Sequence, residues 1–149
     1  MFLIETDRLH LRMFRPDDLD RLAALILDPH GFGRWTVVDK ETQDFVGFGG
    51  LRSLHGEPEV VYHFAKAHWG KGLATELARA SLRYGFEEHH FDRILAIARP
   101  PNAASIHVME KLGMHYQKHT SYYNTDVVQY TISRAEFVAG NSPYILHRN

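Results

Sequence analysis

The sequence predicts a single mixed α/β domain, and three observations predict it. Apolar and polar residues alternate over residues 6–14. The strand-like stretch 59–65 passes through a glycine-containing turn into residues at helical spacing. The apolar run 93–98 is followed by a capped helical pattern and two further strand patterns. No repeat, low-complexity tract or linker interrupts residues 1–149, which suit one domain able to bury about two thirds of its unfolded surface.

Each element has its own signal. In 6–14, Leu9, Leu11 and Met13 alternate with Arg8, His10 and Arg12, the period of a strand with one solvated face. Pro16 suits a first helical turn and Asp17 and Asp18 the positive end of its dipole, while Leu19, Leu22, Leu25 and Ile26 form an apolar stripe that Asp28-Pro29 ends. After a short loop at 30–33, residues 34–39 read as a strand, 40–44 as a hairpin turn and 45–52 as the return strand. Gly47, Gly49 and Gly50 mark a bulge there or a close approach to the backbone. Residues 53–58 read as a turn and 59–65 as a half-buried strand. A helix follows from Leu73 to about His89, with Leu77, Ala80 and Tyr84 on its apolar face and Gly85 as a weak point. Residues 93–98 read as a buried central strand closed by Pro100-Pro101. Asn102 is a good N-cap for a helix whose core face carries Ile106, Met109 and Leu112 and which ends at Gly113. Residues 114–123 and 126–133 read as strands around Asn124-Thr125, and the tail from Gly140 as irregular.

Composition excludes several function classes. Seventeen basic against eighteen acidic residues leave a formal net charge of -1, which supplies no global pull toward nucleic acid or a membrane surface, and neither is expected as a partner. The lack of cysteine removes disulfides, thiolate metal sites and a Cys nucleophile, and it fits a reducing compartment. No apolar run approaches a membrane span and the N-terminus has no signal-peptide layout, so a cytoplasmic protein is expected. The eleven histidines do not space as metal ligands: His89 and His90 adjoin at a helix end, and His115 and His119 on one strand face would stand about 13 Å apart. No metal is expected.

The turn His68-Trp69-Gly70-Lys71-Gly72-Leu73-Ala74-Thr75-Glu76 leaves the first N–H groups of its helix unpaired at the positive end of the dipole, with Gly70 and Gly72 admitting close approach of an anion. It matches neither a P-loop nor G-x-G-x-x-G. The residues alone leave a phosphate site and a ligand-free turn both open.

Three stretches occur in order: Thr6-Asp7-Arg8-Leu9-His10-Leu11-Arg12 with Asp17-Asp18-Leu19; Trp69-x-x-Gly72-x-Ala74 within 59–76; and Asn102-Ala103-Ala104-Ser105 running to Glu110-Lys111-Leu112-Gly113-Met114. Together they resemble the GNAT family of N-acetyltransferases, and its branch similar to ribosomal-protein N-terminal acetyltransferases. The second stretch is similar to that family's acetyl-CoA motif Q/R-x-x-G-x-G/A, with Trp69 in the first position. The resemblance implies a mixed, mostly antiparallel sheet that splays open beside the central strand, with flanking helices and acetyl-CoA in the gap as co-substrate. By position, the N–H groups of Gly70, Lys71, Gly72, Leu73 and Ala74 would hold the pyrophosphate, Lys71 adding charge. Backbone groups of Phe64, Ala65 and Lys66 would pair with the pantetheine arm. Asn102 is an N-cap, a ligand to that arm, or both. The resemblance leaves a homodimer open. Family members carry a longer connection with a second helix after Asp28-Pro29, whereas here only His30 and Gly31 separate Pro29 from Phe32, so the segment reads as shortened.

Acetyl transfer to an amine requires a neutral amine, a stabilised oxyanion and a proton for the departing thiolate. An α-amine near pKa ~8 or a lysine near ~10.4 must first lose a proton. Glu59, which alternation places on one face with Val61 and His63, is the expected base, the alternative being a solvated strand-edge carboxylate. His63 is expected to relay the proton or simply to pack. The resemblance implies that Ser105 stabilises or protonates the thiolate, although serine is also common in a first helical turn. Many family members carry a tyrosine acid seven residues after the asparagine, where this chain has Met109. Tyr122 or Tyr123 could substitute if the late strands bring them close. The expected function is acetyl-CoA-dependent N-acetylation of a primary amine, a protein N-terminus or a small molecule, by direct attack in a ternary complex. The alternative is a non-catalytic acetyl-CoA sensor or interaction module.

Overall fold

A computed structural model describes residues 4–13 and 33–147. The helix expected after Pro16, its end at Asp28-Pro29 and the short connection to Phe32 lie outside them. The strand expected at 6–14 is two strands, β1 (Ile4–Thr6) and β2 (Leu9–Met13), paired antiparallel. Thr6 makes the turn between them by accepting the Leu9 N–H on Oγ1 at 3.2 Å.

β3 (Gly33–Asp39), β4 (Phe45–Leu54) and β5 (Glu57–Phe64) follow as an antiparallel meander. Asp39 Oδ1 accepts the N–H groups of Glu41 and Thr42 and thereby fixes the first turn. The second is tighter than expected from 53–58: it consists of His55 and Gly56 at φ 49° and 85°, the left-handed pair whose twist matches a hairpin. Register passes from Val37↔Gly47 to Val38↔Phe45, which leaves Val46 as the bulge that the glycines of β4 announce. Gly49 marks a close approach as well, since a Cβ there would stand 2.4 Å from the Val61 carbonyl oxygen.

The chain continues through α1 (Leu73–Glu88), β6 (Arg93–Ala98), α2 (Ala103–Lys111), β7 (His115–Tyr122), β8 (Thr125–Ser133) and β9 (Tyr144–Leu146). The last hairpin turns on Tyr123 and Asn124, both left-handed, one residue earlier than expected. The tail that reads as irregular contains β9, whose Leu146, Ile145 and Tyr144 pair with Ile4, Glu5 and Thr6.

Among the described residues the nine strands form one sheet in the order β7-β8-β6-β5-β4-β3-β2-β1-β9. All neighbours are antiparallel except β5 and β6, which run parallel as the α1 crossover requires and meet at one residue pair, Glu59↔Leu95. α1 spans this discontinuity. Leu73, Leu77 and Ala80 pack with Ile4, Leu9, Leu11, Trp35 and Val37, whereas Ala78, Leu82 and Phe86 pack with Leu51, Val60, Ile94, Ala96 and Met109. Gly85 is no mere weak point: a Cβ there would lie 2.8 Å from Ile94 Cδ1, so glycine lets the helix approach the sheet. Among the described residues no helix is long and apolar enough to cross a membrane.

Candidate active site

The loop leaving β5 makes a 3-10 turn at Lys66–His68 and then places Gly70 and Gly72 at φ 79° and 77°, a region that favours glycine. Gly72 is the N-cap of α1, and among the described residues no side chain caps the helix. The first-turn acid, Glu76, reaches outward instead. Its Oε2 accepts from Thr6 Oγ1 at 2.6 Å and the Arg8 N–H at 2.7 Å, and its Oε1 accepts from Arg8 Nε at 2.7 Å. Arg8 Nη1 then donates to the Lys71 carbonyl at 2.7 Å. The turn between β1 and β2 thus braces the glycine loop from outside, and the uncapped N–H end of α1 remains suited to an anion. This brace is the physical content of the Thr6-Asp7-Arg8 stretch. A cavity on the same flank is lined by Arg8, Arg79, Arg83 and Tyr144, but by none of Glu59, Tyr62 or Ser105.

Beyond Glu59↔Leu95, no later residue of β5 pairs with β6. Ala65 N–H donates to the Val46 carbonyl; strand alternation then turns the backbone groups of Phe64 and Tyr62 away from β4, toward the gap. Trp69, 63% exposed, donates its Nε1–H to the Phe64 carbonyl at 2.8 Å and lies under Lys66 Nζ. The Ala65 and Lys66 carbonyls accept from the N–H groups of His68 and Trp69. Of the backbone groups of Phe64, Ala65 and Lys66 expected to pair with a pantetheine arm, the three carbonyls are thus engaged within the chain.

Glu59 is 2% exposed and its Oε1 lies 2.6 Å from Nε of Arg52, its cross-strand partner. A solvated strand-edge carboxylate is thereby excluded. His63, on the same face, is exposed and stacks on Phe48 at 4.8 Å between centroids. The opposite face of β5 presents Tyr62, whose Oη lies 3.1 Å from both the carbonyl oxygen and Oγ of Ser105. Burial first, and the Glu59 charge after it, raise the Tyr62 phenol above its ordinary value against the opposing effect of the Ser105 hydrogen bond. Asn102 is the N-cap of α2, its Oδ1 accepting the Ser105 N–H at 3.1 Å. The gap in the sheet thus lies between Glu59 on one face and the Tyr62–Ser105 pair on the other.

Tyr62 was not singled out by its sequence position. Its signal was available: period two sets it on the core-facing side with Val60, where a tyrosine hydroxyl requires a partner. Met109, at the position of the family's tyrosine, is 1% exposed and belongs to the core around Leu82 and Ile94. Tyr122 donates to Gln129 Oε1 at 2.5 Å, and both Tyr122 and Tyr123 stack on His55 at 5.4 Å. His115 and His119 approach different carboxylates, Glu136 and Asp126.

A family model described as "Acetyltransferase (GNAT) domain" matches residues 24–115. The chain belongs to this GNAT family. It is 42% identical over 105 residues to the uncharacterized protein YkkB of Bacillus subtilis (strain 168), covering 68% of this chain and 61% of that protein. YdaF of the same organism, provisionally named a ribosomal N-acetyltransferase, is 25% identical over 142 residues, covering 72% of this chain and 78% of YdaF. The chain spans 61% of the length of YkkB and about half that of several further Bacillus relatives. Among solved GNAT structures, spermidine N-acetyltransferase from Vibrio cholerae in complex with CoA and spermine superposes with TM-score 0.71 at 20% identity, covering 87% of this chain and 97% of that one. That likeness is one of fold.

Proposed function

We propose that the chain is an acetyl-CoA-dependent N-acetyltransferase in which a primary amine attacks the thioester directly in a ternary complex. The observation that carries this reading is the gap beyond Glu59↔Leu95, which opens beside an uncapped helix N-terminus with left-handed glycines at 70 and 72. In this reading the N–H groups from Gly70 to Ala74 bind the pyrophosphate, and Lys71 adds charge. Backbone groups of Phe64 and Tyr62 facing the gap orient the pantetheine arm, the Phe64 carbonyl only after Trp69 releases it.

Acetyl-CoA when bound supplies an activated acetyl group, with coenzyme A as the thiolate leaving group. Glu59 takes the proton of the incoming ammonium, directly or through water, and Arg52 Nε holds its Oε1 at 2.6 Å in a buried place. His63 lies four residues further along the same strand face, about 13 Å from Glu59, so it passes that proton outward only through intervening water. The amine nitrogen then forms the new C–N bond as the C–S bond breaks and sheds its second proton to solvent on becoming an amide nitrogen, and the Ser105 hydroxyl receives the departing thiolate by hydrogen bonding. The acceptor is a protein N-terminus or a small amine. The names of YdaF and of the spermidine enzyme represent these two classes.

The test is thiol release from acetyl-CoA across a panel of N-terminal peptides and polyamines. Release with one class assigns the acceptor. A melting shift with acetyl-CoA but no release with any amine converts the reading to a sensor, and no shift at millimolar acetyl-CoA removes both.

A further inference from the structure

We propose that Tyr62 is a positioning residue that orients the Ser105 hydroxyl toward the leaving thiolate. This rests on the acetyl-transfer reading above and extends it to a side chain on the opposite face of β5 from the base. The geometry permits two arrangements of hydrogen bonds. Tyr62 Oη is 3.1 Å from both the Ser105 carbonyl oxygen and Ser105 Oγ. A carbonyl only accepts, so with the phenolic proton on it the Ser105 proton is left to bond Tyr62 Oη or to turn elsewhere. With the phenolic proton on Ser105 Oγ, the serine proton is released to point at the gap. Rotation of one phenolic O–H switches between the two.

Neither hydroxyl is suited to give its proton away. A serine alkoxide is a far stronger base than a thiolate, and the burial of Tyr62 together with the Glu59 charge holds the phenol in its neutral form. The pair therefore stabilises the thiolate by a chain of hydrogen bonds, Tyr62 to Ser105 to sulfur. The C–S bonding electrons leave with the sulfur, which takes its proton from solvent. Asn102 fixes the other end of the arrangement by holding the Ser105 N–H, so the serine backbone has little freedom and its rotamer depends on Tyr62. Tyr62 itself is wedged between the two core clusters, so its ring position is set by packing, not by the hydrogen bond.

The test needs no turnover. Free coenzyme A is bound to the wild-type protein and its thiol is titrated by thiolate absorbance. Tyr62→Phe, which keeps the ring, is expected to raise the bound thiol's pKa by about half a unit to one unit, the worth of one modest hydrogen bond. Ser105→Ala, in an accessible first helical turn, raises it at least as much, and adding Tyr62→Phe to Ser105→Ala changes nothing further. In turnover, Tyr62→Phe lowers kcat about threefold to tenfold with KM for acetyl-CoA nearly unchanged. A bound-thiol pKa indifferent to Tyr62→Phe, or additive effects of the two substitutions, overturns the role of Tyr62 while leaving the acetyltransferase reading intact. Failure of the wild-type protein to bind coenzyme A overturns both.

Discussion

At the scale of single residues, Glu59 holds a carboxylate where almost no solvent reaches it, and Arg52 pairs with it there. Removing only the cation leaves the buried carboxylate without its Arg52 ion pair, whereas Glu59→Gln removes the charge and keeps the shape. Arg52→Met is therefore expected to lower the melting temperature more than Glu59→Gln. For catalysis the order reverses. Glu59→Gln should reduce kcat/KM about a hundredfold at neutral pH, the usual contribution of a positioned base. The defect should shrink as pH rises, because the neutral fraction of an amine grows about tenfold per pH unit below its pKa. A defect of constant size across pH would mean that Glu59 binds the acceptor and does not deprotonate it. The face of β5 that carries Glu59 was legible in the sequence because alternation alone sets it. Tyr62 was not, since its meaning depends on Ser105, which arrives from a helix 43 residues later in the chain.

Among elements, α1 carries the most constraints, and its first turn shows how distant segments cooperate. Glu76 would ordinarily be placed to cap or complement its own helix. Here it accepts three hydrogen bonds from Thr6 and Arg8, and Arg8 in turn holds the Lys71 carbonyl. Glu76→Ala is expected to cost about 2 kcal/mol in denaturant unfolding, consistent with bonds to a charged, largely buried acceptor. It should also weaken acetyl-CoA binding in calorimetry by loosening the glycine loop, and unchanged affinity would show that the loop holds its shape unaided. β6 was read from sequence with its observed bounds, because an apolar run buried on both sides admits few alternatives. β9 and the turns at His55-Gly56 and Tyr123-Asn124 were not so legible. A three-residue strand exists only through its pairing with β1, and left-handed Tyr123 is imposed by strand register, against its own preference.

The whole molecule is a sheet in two parts, joined at one residue pair and bridged by α1. Its stability should fall on acidification, in two steps. Burial first lowers the pKa of His10 below 6.5, so the unfolded chain takes up that proton more readily and stability present above pH 6.5 is lost as pH falls. Asp39, held low first by the Thr42 N–H, and Glu5, held low first by Lys40, add further loss once pH drops through the carboxylate range. Chemical denaturation from pH 8 to pH 3 measures this, with a flat profile above pH 6.5 expected. A ligand wedged in the gap bridges the two parts and acts on the same balance. At about 100 times its dissociation constant, acetyl-CoA should add roughly 2.7 kcal/mol to unfolding. Hydrogen exchange should show where. Protection is expected to rise at the end of β5, in the glycine loop and at the first turns of α1 and α2, which border the gap, while β7 and β9 at the sheet edges keep their free-state rates. Equal protection of gap and edges would indicate global tightening without a ligand in the gap, and protection confined to the edges would place the cofactor elsewhere.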